Sequence, residues 1–460
     1  MKLSHLLACT ALTAMLGTVA PVMAQERVPP VEIFTTTESY DPIRYEGAFI
    51  IADAWRELGL DVTVSPLEFR TLLDRFYSEQ DFDTVIMGWS GRVDRLDPQF
   101  YLGTLDSRQA EMGANNPGGY SNPEYDALYD AQSREFDIDA RRDIVHEMQE
   151  LYMPDVPHVV LFHRDEVVAY NNTTFTNMNA MAGEGLYSEW VPLEAEPLGD
   201  SQTLRIGGPQ EPDNVNPLAS TSVWGWKWMR LYYDRLVRLT PEVEPMPWAA
   251  TSVDAVDDVT IEVTLREGML FHDGEPVTAE DVAFTFDYYM NSEYSYFNAY
   301  LAPLESVEVT GDLTVRFNLS EPSAPFATIS LSQIPILPKH LWEGIENPGD
   351  LTPDQIPTVG SGPFVFDRYD RGEFMSLTTN TDHFYADDIS VEGVEFVIYA
   401  DAEGVFTALQ TGQIDMTAWR MEPGQIPLAE GNDNLTVVSV PDFGYFHMTF
   451  NTRRAPFDDV

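Results

Sequence analysis

Cations are scarce in this 460-residue chain: 26 lysines and arginines face 75 aspartates and glutamates, for a formal charge of −49. Lysine occurs only as Lys2, Lys227 and Lys339. A surface so short of positive charge cannot neutralise a phosphate backbone, which excludes nucleic acid as a partner. Such a surface stays hydrated where salt screens charge, the Debye length being about 3 Å at 1 M, so an acidic, halophilic protein is expected. Cysteine occurs once, as Cys9 inside the leader, so disulfides and cysteine-ligated metals are excluded from the mature chain. Past the leader no stretch reaches the roughly 18 to 20 uninterrupted apolar residues of a membrane span, and a soluble mature protein is expected.

The leader itself is well formed. Met1-Lys2, an apolar run from Leu6 to Val19 and the small-residue site Val22-Met23-Ala24 have the anatomy of a signal peptide occupying 1–24. Cys9 invites a lipoprotein reading, but too little apolar sequence precedes it and a good cleavage site follows. The expected location is periplasmic or extracellular. With 44% hydrophobic residues, the chain is globular and long enough for two or three domains.

Periodicity predicts α/β structure. From Tyr45 a helix carries Phe49, Ile50, Ala54, Trp55 and Leu58 on one face and stops at Gly59, where a left-handed cap is wanted. A strand at 61–64, a helix turning Leu72, Leu73, Phe76 and Tyr77 inward, and an apolar strand at 84–87 lead to the loop Gly88-Trp89-Ser90-Gly91-Arg92. The same alternation returns near the other end. A strand at 394–399 is followed by a helix capped by Asp401 and closed by Gly412, then by a strand at 414–418 that ends at Trp419. This grammar implies a largely parallel sheet, whose ligands collect beyond the carboxyl ends of strands. Trp89 and Trp419 therefore face a crevice, although either is as readily core packing.

Between the two stretches, the turn-rich 194–202 segment reads as a linker, after which a strand at 203–206 starts afresh. Residues 260–271 alternate with Ile261, Val263 and Leu265 on one face, and Thr278 with Asp281 forms a capping box. His272 beside Asp273 is neither a metal-ligand set nor a triad. Trp224, Trp226 and Trp228 suit the interior of a lobe better than stacking on a sugar.

The stretch Arg266-Glu-Gly-Met-Leu-Phe-His-Asp-Gly-Glu-Pro-Val-Thr-Ala-Glu-Asp-Val282 resembles the signature of the family 5 extracellular solute-binding proteins of ABC importers, the peptide and oligopeptide class. Asn214-Val-Asn-Pro217, Tyr233-Asp-Arg-Leu236, Gly360-Ser-Gly-Pro-Phe364, the 408–415 segment and the 450–459 segment resemble further pieces in family order. The leading segment, with Gly88-Trp-Ser-Gly91, the 119–126 stretch, Arg141, Arg142 and the 157–162 strand, resembles the part that normally closes such a protein. The halves thus stand in inverted order: 25–193 resembles a C-terminal half and 203–460 an N-terminal half.

The resemblance implies a bilobal type II periplasmic-binding fold, permuted or truncated, closing on a solute and docking on a membrane permease. It implies a monomer that captures a small peptide-like solute without chemistry, cofactor or metal, an oligosaccharide or other polar organic solute being the alternative. The implied ligand-binding residues are Trp89, Ser90, Gly91, Arg92, Asn214, Trp419 and Tyr445. Arg92 departs from the aspartate that often holds a peptide amino terminus in this family, and a guanidinium donates only. Unless Asp94 or Asp97 substitutes, a carboxylate-bearing or hydroxyl-rich solute gains weight. The stretch that in the family follows the motif ending at Asp459 has no counterpart here, so a truncated copy of a longer protein is expected, with an uncovered sheet edge. A secreted hydrolase is the rival from another class, but no serine elbow, His-Glu-x-x-His motif or phosphate loop is present.

Overall fold

Two mixed β-sheets organise the chain, and each draws strands from both ends of it. The computed structural model describes residues 28–92, 95–292 and 296–458, so the leader, Cys9 and Asp94 lie outside the described residues. The first sheet runs in the order Val62–Leu67, Val31–Thr36, Thr84–Trp89, Tyr445–Phe450, His158–Phe162. Its first three strands are parallel, and Tyr445–Phe450 is antiparallel to both neighbours. The second sheet runs Phe364–Asp370, Phe374–Thr379, Gly393–Ile398, Thr203–Gly208, Met416–Thr417, Asp165–Asn171, Leu435–Pro441, and is parallel only around Thr203–Gly208. The sheets are therefore mixed rather than largely parallel. Strand–helix alternation governs neighbours in sequence, whereas the antiparallel pairs join strands that return from far along the chain.

Two short crossings link the sheets side by side. One joins Phe162 to Asp165, the other Pro441 to Tyr445. They hydrogen-bond to each other: Asp442 N donates to Arg164 O at 2.8 Å, and His163 Nδ1 lies 2.9 Å from Gly444 O. Gly444 is required there, because a Cβ would sit 2.3 Å from Trp89 O and 2.5 Å from Gly91 N. Arg164 reinforces the junction by pairing with Asp41 at 2.9 Å and lying 4.3 Å over the Phe446 ring. Asp41 in turn caps the Pro42–Glu57 helix through Arg44 N.

A third, four-stranded antiparallel sheet, with Thr260–Leu265 and Thr314–Leu319 in its middle, buries Ile261, Val263, Val315 and Phe317 under the Ala279–Met290 helix. That helix opens with the Thr278–Asp281 capping box, and Asp401 caps the Ala402–Gln410 helix through Gly404 N at 2.8 Å. His272 and Asp273 part company: the ring bonds the Gly360 and Gly362 backbone, while Asp273 meets His340 at 2.8 Å. The 194–202 segment holds the end of a short helix, Trp190–Glu194, and a two-residue strand, Glu196–Pro197.

One helix faces otherwise than its pattern suggests. Pro42–Glu57 ends with Gly59 at φ +90, but its buried face is Arg44, Ala48 and Ala52, with Ile50 69% and Leu58 79% exposed. Two alanines let the helix approach its sheet closely, and Arg44 is buried because it pairs with Asp41 and lies 5.3 Å over Phe446. Along the edge strand His158–Phe162, Val159 and Val160 are also exposed.

Candidate functional site

Where the strand ends meet the crossings lies a cavity of about 320 Å³. Ser90, Gly91 and Arg92 enter it from beyond Thr84–Trp89, Gln210 from beyond Thr203–Gly208, and Ala418, Trp419 and Arg420 from beyond Met416–Thr417. All three are carboxyl ends of strands, the position where α/β sheets expose backbone for a ligand. The Val223–Tyr232 helix, capped by Ser222, supplies Trp224, Trp226, Lys227 and Arg230, while Tyr187, Glu184 and the strand residue Glu166 complete the far wall.

Close backbone contact fixes the near wall. At Gly91 a Cβ would meet Asp442 Oδ1 at 2.0 Å and Gly444 N at 2.4 Å. Only glycine lets this loop lie against the crossing, so the position of Arg92 is tied to that of Asp442. Arg92 then spreads its guanidinium 4.7 Å over the Trp226 ring. Trp224 sits 5.5 Å from Trp419 and 5.1 Å from Tyr187, so aromatic faces line the opposite side.

The charge of this cavity opposes that of the whole molecule. It gathers Arg92, Lys227, Arg230 and Arg420 against Glu166, Glu184 and Asp442, in a chain with 26 cations and 75 acids. Arg420 pairs with Glu166 at 2.9 Å and Lys227 with Glu184 at 3.4 Å. Burial raises the carboxyl pKa of Glu166, with Arg420 opposing the rise, and burial likewise raises that of Asp442, against the Gly444 N–H it accepts. The net field favours an anionic group on the occupant, while the paired acids leave acceptors for donors. Among the described residues no group of three or more His, Cys, Asp or Glu is set to hold a metal ion.

Of the residues singled out in the sequence, Ser90, Gly91, Arg92 and Trp419 come together here, with Trp419 41% exposed. Trp89 ends its strand pointing elsewhere, 5.2 Å from Phe100 and beside a separate small cavity near His158 and His447. Tyr445, its cross-strand partner, is buried against Tyr101 at 5.3 Å. Asn214 accepts from Asn216 N at 2.8 Å within its own loop and does not line the cavity. Asp97 is committed elsewhere: it accepts two bonds from Arg141, at 2.6 and 2.8 Å, and one from Thr328 Oγ1 at 3.0 Å. It is therefore not the acceptor that could replace an aspartate at position 92. The three tryptophans of the Val223–Tyr232 helix are all buried, yet Trp224 and Trp226 form cavity wall and only Trp228, stacked 4.6 Å from Phe396, is core alone.

Glu166, Tyr187, Lys227, Arg230, Arg420 and Asp442 escaped sequence reasoning. The one available signal was the rarity of lysine, since Lys227 is one of three.

Comparison with known proteins gives a consistent result. Residues 244–460 match the model of the bacterial extracellular solute-binding proteins, family 5 Middle. The oligopeptide-binding protein AppA of Bacillus subtilis (strain 168) is 27% identical over 261 residues, covering 56% of this chain and 47% of AppA. Di/tripeptide-binding protein 1 of Pseudomonas aeruginosa (strain UCBPP-PA14) is 25% identical over 235 residues, covering 47% of this chain and 44% of its own. Among solved structures, Bacillus subtilis AppA in complex with a nonapeptide matches at 27% identity with a TM-score of 0.46, over 51% of this chain and 47% of that one. The chain spans about half the length of the curated relatives it matches.

Proposed function

We propose, on the strength of the match over residues 244–460, that the chain is a bacterial extracellular solute-binding protein of family 5 and that it captures a peptide-like solute for an ABC importer. Relatives named as oligopeptide-binding and di/tripeptide-binding proteins support the reading. The observation that carries it is the cavity at the crossings, where both sheets, four cations, three carboxylates and three tryptophans converge. Such a site holds a solute by hydrogen bonds and ion pairs that gain strength once water is excluded. Release then follows when the two sheets separate about the crossings, a hinge motion with few backbone torsions to change. No bond need be made or broken. Export through the leader and delivery to a membrane permease belong to the same proposal.

Size narrows the solute. At about 320 Å³ the cavity stands at the low end of small-molecule pockets, which run from about 300 to 1,000 Å³. A short peptide or a compact carboxylate-bearing solute suits it better than a nonapeptide. Native mass spectrometry of the purified protein should reveal a small retained solute, and calorimetry should give tighter binding for di- and tripeptides than for neutral sugars. Arg92→Asp should weaken a ligand held through its carboxylate by 10-fold or more, about 1.4 kcal/mol. Preferential binding of neutral oligosaccharides, unaffected by Arg92→Asp, overturns the peptide-like reading. Product formation from peptides or glycans overturns capture itself.

A further inference from the structure

Beneath the solute cavity lies a second, much smaller one of about 20 Å³, bounded on its polar side by Arg230, Arg235 and Gln333. Arg235 is 2% exposed, and its Nε has no hydrogen-bond partner. Its other contact is a close pair with Glu189, which also attracts Arg238, 3.4 Å away. Glu189 is thus shared by two buried guanidinium groups, and Arg230 adds a third nearby positive charge. The other acid close by, Asp234, bonds Trp248 Nε1 at 2.8 Å and His383 Nε2 at 3.3 Å and attracts Arg238, so its charge does not serve Arg230 or Arg235. Arg238 is partly compensated by lying 3.8 Å over the Trp248 ring, a contact that Arg235 does not share among the described residues. Burial lowers the pKa of Arg235 to about 10 despite Glu189, a sign of how costly its charge is in place. Buried charges of one sign require a counter-charge, because the desolvation cost of each is several kcal/mol.

We propose that the cavity between Arg230 and Arg235 is a halide site, occupied by one chloride ion. Its chemistry distinguishes chloride from water and from larger anions. A water could bond to Gln333 Oε1, which accepts from Arg230, or to the Tyr233 hydroxyl, whose proton goes to Pro357 O at 2.8 Å, but being neutral it would leave the guanidinium charges uncompensated. The remaining wall, with Pro217, Met229 and Pro335, is apolar. Two guanidinium groups with no carboxylate on the cavity wall match a particle that carries negative charge. A volume of about 20 Å³ admits one monatomic ion and excludes sulfate or phosphate.

Crystals of the whole protein in sodium bromide, measured at the bromine absorption edge, should give an anomalous peak between Arg230 and Arg235. In solution, the thermal midpoint in sodium chloride or bromide should exceed that in sodium gluconate by about 2 to 3 °C at equal ionic strength, saturating with halide concentration. Equal ionic strength removes the screening common to all three salts. Arg230→Met, which removes one of the two donors, should abolish the difference between salts while circular dichroism stays native. Bromide peaks confined to other positions, density at this position without anomalous signal, or equal midpoints in all three salts overturn the proposal. Should Arg230→Met fail to fold, the wild-type crystal alone decides.

Discussion

Removing the Asp97 carboxylate should destabilise the protein more than any change in the solute cavity. Asp97 and Arg141 form a bidentate pair at 2.6 and 2.8 Å with side chains only 6% and 10% exposed. Asp97→Ala strands the Arg141 guanidinium in the interior, leaving it Gln132 Oε1 at 2.9 Å as a neutral acceptor. Stranding one partner of a buried pair costs about 3–5 kcal/mol. The same substitution removes the cap on Pro98–Leu102, given to Gln99 N at 2.9 Å and worth about 1 kcal/mol. It also loses the bond from Thr328 Oγ1, worth about 1 kcal/mol, which ties this segment to the Phe326–Ser330 turn. The expected total is about 4–6 kcal/mol, Gln132 offsetting part of it. Urea unfolding followed by circular dichroism measures this, and a cycle with Arg141→Met isolates the pair. The double variant should be more stable than the two single losses summed, by about 2 kcal/mol or more, because it no longer buries an unpaired charge. A loss below about 1 kcal/mol for Asp97→Ala, or strictly additive losses, refutes the reasoning.

Solute binding should shift or quench tryptophan emission chiefly through Trp419, which faces the cavity half-exposed; an identical response from Trp419→Phe counts against that placement. With 75 acids against 26 cations, the thermal midpoint should rise between dilute buffer and about 1 M NaCl, where screening is nearly complete, and a flat or falling midpoint removes the self-repulsion argument. Burial lowers the pKa of His158 to about 4 and that of His447 well below its ordinary value, so both are neutral in the fold. Below about pH 6.5 the unfolded chain takes up protons that the fold refuses, so their contribution is complete above pH 6.5 and is lost as pH falls, by about 2 kcal/mol for His158 at pH 5. His158→Phe should remove that share of the acid loss, and an unchanged pH dependence of the midpoint shows the histidines to be innocent.

Local structure was largely legible because it depends on short-range chemistry. The Thr278–Asp281 box, the Asp401 cap and the stop at Gly59 follow from side chains within three or four residues of the backbone they satisfy. The strand ends at Ser90 to Arg92 and at Trp419 marked the cavity because apolar runs stop there. What stayed hidden depends on distant partners. The buried face of Pro42–Glu57 stayed hidden because Arg44 is held inside partly by Phe446, 402 residues away in sequence, and the apolar pattern from Tyr45 onward carries no trace of that partner. Asp442 and Arg420 acquire meaning only when the second crossing brings them beside the first. Asp97 looked available to a ligand until helix Ile138–Tyr152 presented Arg141 to it.

The placing of Tyr445–Phe450 between Thr84–Trp89 and His158–Phe162 sets a timetable for biosynthesis. Thr84 Oγ1 donates to Thr449 O across 365 residues of sequence. At about 5–20 residues per second, the ribosome needs on the order of 20 to 70 s to supply the partner of a strand it has already made. Throughout that interval the Thr84–Trp89 strand has an open edge where its second neighbour belongs, and an open apolar edge is a template for pairing with other chains. Contacts so distant in sequence also close slowly once the chain is complete. Until Tyr445–Phe450 arrives, the first sheet is thus held short of its full pairing while elements made in between are free to form.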